Sequence, residues 1–174
     1  MRKSTLALAL LVAAVVGLAP SREAAAFGAP RQNFGLGIGM GTGASGLSGK
    51  FMLGQNAIQT VLGFWGGVDN GDHSGPGRPH LDGIALSVDY LFEMPALAKS
   101  EYFNLDWDFG LGAGVGVSTG GGAPGVAVAA IAGLEFNFTR APIDVALEYR
   151  PAVGILPNPW IGLIGFTAHV RLWF

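Results

Sequence analysis

The segment 160–174, WIGLIGFTAHVRLWF, changes character at every second residue. Trp160, Gly162, Ile164, Phe166, Ala168, Val170, Leu172 and Phe174 form one set, with no polar side chain. Ile161, Leu163, Gly165, Thr167, His169, Arg171 and Trp173 form the other, which is mixed. Successive side chains of a strand point to opposite faces, so a period of two predicts a long strand with one apolar face. A helix, with its period of 3.6, would scatter His169 and Arg171 onto the apolar side.

The same alternation runs through the chain. Phe34, Leu36, Ile38 and Met40 alternate with glycines, and Leu47, Gly49, Phe51 and Leu53 with Ser48, Lys50 and Met52. Further apolar sets run from Ile58 to Val68, Ile84 to Phe92, Phe103 to Val117, Val126 to Phe138 and Ile143 to Tyr149. With the last segment these make eight expected strands. Gly/Pro-rich connections at 42–46, 69–80, 118–125 and 151–159 alternate with connections at 54–56, 94–101 and 139–142, two of them tight. An even number of antiparallel strands, with short turns at one end and longer loops at the other, is the layout of a transmembrane β-barrel.

Composition agrees with this pattern. Charged residues are 13% of the chain, against roughly 25% in ordinary soluble domains. The 29 glycines are too many for a helical bundle, and a net charge of −2 points away from nucleic acid. With no cysteine, disulfides and thiolate metal sites are excluded. Arg2 and Lys3, an apolar run over 6–19 and Ala24-Ala25-Ala26 have the layout of a secretory signal peptide, so 1–26 reads as a cleaved leader and 27–174 as the barrel domain. The run is shorter than the ~20 residues of a spanning helix.

The faces can be assigned. A soluble, lipocalin-like barrel would expose the Gly/Ala/Ser set, a poor solvent surface. A narrow barrel with small and charged residues inside and the apolar set against lipid fits better. With residue 34 and residue 174 at the periplasmic end, the outward Phe34, Phe92, Phe103, Phe138 and Phe174 gather there, and Tyr149 and Trp160 at the other. Aromatic girdles at both interfaces are what a bilayer selects.

Phe166, Ala168, Val170 and Leu172 before Phe174 resemble the C-terminal signal that the barrel-assembly machinery reads in outer-membrane proteins. Residues 34–174 resemble the small eight-stranded outer-membrane barrels of the OmpA and OmpX type. The resemblance implies an all-β, eight-stranded, antiparallel, up-and-down transmembrane barrel in the outer membrane of a Gram-negative bacterium. It also implies contact with outer-membrane lipid and lipopolysaccharide, and with periplasmic chaperones during assembly. No peptidoglycan-binding domain of the OmpA kind is expected.

Several motifs bear on chemistry. GTGASG at 41–46 fits a dinucleotide fingerprint but is followed by a strand, where that site needs a helix. The inward charges are expected to form an ion-pair network that plugs the lumen: Lys50, Asp89, Asp106, Asp108, Glu135, Asp144, Glu148, Arg150, His169 and Arg171. Counting through the turns puts Asp89 near Asp106 and Asp108 near Glu135, with Arg171 facing them across the bore. His73 and Ser74, in the 69–80 loop, are the candidate catalytic pair of a lipid-modifying enzyme, with His169 too near the periplasmic end to join them. Adjacent in a Gly/Pro-rich loop, they are not pre-organised as base and nucleophile. The loop reads rather as a polar surface loop, and no metal or cofactor is expected. The function expected is that of a membrane barrel displaying loops. The alternatives are a lipid A- or phospholipid-modifying enzyme and a narrow pore or small-ligand carrier.

Overall fold

The computed structural model of the chain describes residues 33–69, 78–121 and 123–174, the side chains of 66–69 and 78–82 excepted. The leader expected over 1–26, and the pair His73 and Ser74, lie outside the described residues.

The described residues contain strands and no helix. In chain order these are β1 (Phe34–Gly41), β2 (Ser45–Leu53), β3 (Asn56–Asp69), β4 (Arg78–Lys99) and β5 (Phe103–Ser118). β6 (Gly125–Phe138), β7 (Ile143–Tyr149), β8 (Ala152–Leu156), β9 (Trp160–Gly162) and β10 (Phe166–Trp173) follow. β8 continues β7 along the same neighbour, β6, and β9 leads into β10, so the ten segments make eight barrel strands. Each pairs antiparallel with the next in sequence. β10 returns to β1 from Gly35↔Trp173 to Gly41↔Thr167, closing an eight-stranded barrel.

Closure leaves no long unpaired edge, and the period-two sequence then decides what faces where. β10 alternates without exception: Phe166, Ala168, Val170 and Leu172 are exposed, and Thr167, His169, Arg171 and Trp173 are buried. Around the barrel the exposed set includes Ile38, Leu62, Phe109, Leu111 and Leu147. The largest fully buried side chains include Arg171, Lys50, His169, Gln59 and Glu135. Buried apolar residues form only two small groups, Ala44 with Val61 and Ala85, and Ala57 with Leu91 and Ile131. The barrel is polar inside and apolar outside, the reverse of a water-soluble one.

The elements differ from the sequence expectation in three places. β4 does not stop at residue 93 but bulges between Met94 and Ala98, then pairs Ala98 with Leu105 and Lys99 with Asn104. Pro95 has no N–H to give the ladder, and a bulge is where a strand tolerates it. The tight turn follows at Ser100, whose Oγ accepts the N–H of Phe103 at 3.0 Å. The expected 69–80 loop is narrower, because the hairpin pairs as far as Asp69↔Arg78.

The last two barrel strands are each interrupted. Pro151 separates β7 from β8, although its carbonyl still accepts from Ala130 N at 3.0 Å. At 163–165 the chain steps by one residue, so β9 and β10 are out of phase: Tyr149 faces Phe166, whereas Ala152 faces Gly162. Trp160 is therefore not in the outer girdle, where the unbroken alternation put it. Its indole lies over Gly154, inside the mouth, where any Cβ on that glycine would strike it. The outward aromatic pair at this end is Tyr149 with Phe166, ring centroids 5.6 Å apart.

Candidate functional site

The site is the bore. Many inward positions carry either a glycine or a long polar side chain, and at several points the two are matched. Gly112 lies opposite Asp89, and Gly39 opposite His169. A Cβ at either glycine would collide with the facing side chain. The alternating glycines make room for buried charge.

The charges fall into two tiers. Nearer the mouth, the end with the 42–44 turn, Arg150 grips Asp89 through two bonds of 2.8 Å and donates to Glu148 Oε2 at 3.0 Å. Deeper, Arg171 Nε donates to both Asp144 oxygens at 3.0 and 3.1 Å, and its Nη2 reaches Glu135 at 3.3 Å. Lys50 Nζ sits 2.5 Å from Glu135, 2.7 Å from Glu93 and 3.8 Å from Asp108. Gln59 joins the tiers: its amide donates to Glu148 at 2.7 Å, while its carbonyl accepts from Arg171. Such bidentate and multiply shared contacts are the strong form of a charged hydrogen bond.

Seven carboxylates and three permanent cations share this space among the described residues, so neutral donors supplement the cations. Trp173 Nε1 donates to Asp144 at 2.6 Å, and Asn137 to Asp106 at 2.8 Å. Each hydrogen bond lowers the desolvation penalty that an unpaired buried charge would carry.

The structure brings nine of the ten expected network residues into these contacts; His169 pairs as well, at 3.4 Å from Glu148 Oε2. Two expected neighbourhoods differ. Asp89 faces Gly112, not Asp106, because β4 runs on to Lys99 and the turn comes later than the sequence suggested; Glu93 is the residue opposite Asp108. Asp106 instead faces Glu135. His169 lies opposite Gly39, one inward position below the rim pair Gly41↔Thr167, and so is nearer the mouth than the sequence suggested. Glu93, Gln59, Ser48, Asn137 and Trp173 were absent from the expected network. Gln59 was legible as an inward residue of its strand, but its bridging role depends on strands 10 and 7.

Two constellations invite a chemical reading. Ser48 Oγ lies 3.0 Å from His169 Nδ1, and His169 Nε2 faces Glu148, the residue types of a hydrolytic triad. All three are buried to within 1% and none lines the cavity at the mouth, so an ester has no route to Ser48. Glu93, Asp108 and Glu135 each bring a carboxylate oxygen within 4.8 Å of the others, a spacing that suits a cation. The Lys50 ammonium already supplies positive charge at that point.

Comparison of the chain with family models, with curated proteins and with solved structures found no match. The reading of this site therefore rests on its chemistry.

Above the upper tier the bore widens into a cavity of about 770 Å³, open at the mouth. Arg150 forms part of its floor, Gly112, Gly114 and Ala127 part of its wall, and Trp65 and Trp160 stand at its rim.

Proposed function

We propose that this protein is an outer-membrane β-barrel whose bore is closed by ion pairs and whose turns and loops at the mouth are displayed to the exterior for interaction. The observation that carries the reading is the inversion of polarity. An apolar outer wall around a core of Lys50, Arg171, His169 and their carboxylates is unfavourable in water and favourable in a bilayer. Aromatic side chains at both ends of that wall add support: Phe34, Phe92 and Phe138 at one end, Tyr149 and Phe166 at the other.

Epitope insertion tests both membrane residence and orientation. Gly121 (φ +84°) and Gly54 (φ +73°) occupy exposed turns at opposite ends, where insertions are tolerated. A tag at Gly121 is expected to be labelled by antibody on intact cells, and a tag at Gly54 only after permeabilisation. The membrane reading fails if neither variant co-fractionates with outer membranes, and the orientation fails if the labelling pattern is reversed.

A further inference from the structure

The mouth cavity has the size of a small-molecule site, within the roughly 300–1,000 Å³ typical of such pockets. Its chemistry is selective. The walls are largely bare backbone and small side chains, as at Gly112, Gly114 and Ala127, with two indoles at the rim. The guanidinium in the floor is already committed: three of its N–H donors go to Asp89 and Glu148, whose two negative charges offset its own. An anion would lose its hydration beside a cation that two carboxylates already offset, whereas an apolar ring would gain flat contact surface against glycine-bare strands and indoles.

The rim also has a side entrance. β2 starts at Ser45, opposite Phe64, while β3 continues to Asp69 paired only with β4. On the other flank β9 pairs only with β8, and the β1–β10 ladder ends at Gly41↔Thr167. The wall is thus low over the 42–44 turn, between two strand segments that each lack a neighbour on that side. Thr42 ties this low turn to β10, its N–H donating to Phe166 O at 2.9 Å. Beside the gap, Leu163 and Ile164 are 68% and 84% exposed, an apolar approach at the edge of the outer wall.

We infer that the mouth cavity is a binding site for one neutral, apolar, ring-bearing small molecule, which enters from the lipid phase over the 42–44 turn. The site of entry rests on the membrane reading; the pocket itself does not.

The test uses full-length protein folded into lipid vesicles, with the neutral fluorophore N-phenyl-1-naphthylamine as probe. Energy transfer from tryptophan to probe is expected to saturate at one probe per chain, above the linear partitioning seen with protein-free vesicles. Gly114→Phe directs a ring into the cavity from a position where a Cβ meets only the Leu86 carbonyl oxygen, at 3.7 Å. That change, and independently Ala127→Leu on the facing strand, is expected to weaken binding at least tenfold. Folding of each sample is read separately, from its heat-modifiable gel mobility. Folded, membrane-inserted protein that takes up probe no better than lipid alone overturns the site, as does equal binding by both folded variants. Saturable binding by a barrel that fractionates away from outer membranes would retain the site and remove the membrane entrance.

Discussion

At the scale of single residues, the buried charges are held in place by one another, so their removal is unequal in effect. Arg171 serves Asp144, Glu135 and Gln59 at once and is 1% exposed. Arg171→Ala leaves Asp144 without its cation and Glu135 with Lys50 alone, and is expected to destabilise the barrel by about 3–5 kcal/mol. Arg140 makes a comparable contact with Glu101 at the surface, where both side chains are about two-thirds exposed. Arg140→Ala is expected to change stability by no more than about 1 kcal/mol. Urea unfolding of both variants in the same vesicles checks the contrast, and equal midpoints would mean that water reaches Arg171. Gln59→Leu keeps the volume but strips a donor from Glu148 and an acceptor from Arg171, with an expected loss of about 1–3 kcal/mol. The charged residues of this network, Glu93 excepted, were legible in the sequence because each stands opposite the apolar set of its own strand. Gln59, Asn137 and Trp173 were not, because an inward amide or indole becomes a partner only once closure brings distant strands together.

At the scale of elements, alternation located all eight barrel strands, because a one-residue slip would turn a whole apolar set inward. It failed where backbone chemistry breaks the period locally: at Pro95 in the β4 bulge, at Pro151 between β7 and β8, and at 163–165 before β10. The continuation of β4 past the first break to Lys99 separates Asp89 from Asp106, and the last break turns Trp160 into the mouth. β10 itself is regular, and its outward face gives a direct test. Leu172 is 48% exposed, between Val170 and Phe174 on the apolar wall. Leu172→Asp places a carboxylate on that wall and is expected to abolish recovery in the outer-membrane fraction, whereas Leu172→Ile leaves it unchanged. Normal recovery of the Asp variant would show that this face does not meet lipid.

At the scale of the whole molecule, the question is whether the bore conducts. Eight strands enclose a width that side chains can fill, and here two tiers fill it: Arg150 with Asp89 and Glu148 above, Lys50 and Arg171 with Glu93, Glu135 and Asp144 below. An ion entering from the mouth would cross the cavity and meet the Arg150 tier at its floor. In planar bilayers the native protein is therefore expected to show no resolvable current steps. Arg150→Ala opens the upper tier alone and is expected to stay silent, because Lys50 and Arg171 still span the bore. Arg150→Ala combined with Lys50→Ala removes a cation from each tier and leaves the carboxylates in excess. Any current through that variant is expected to favour cations, with the reversal potential under a potassium chloride gradient reporting the sign. Stable steps from the native protein would mean that the tiers part in the membrane. Anion-selective current from the double variant would mean that the carboxylates do not line the path.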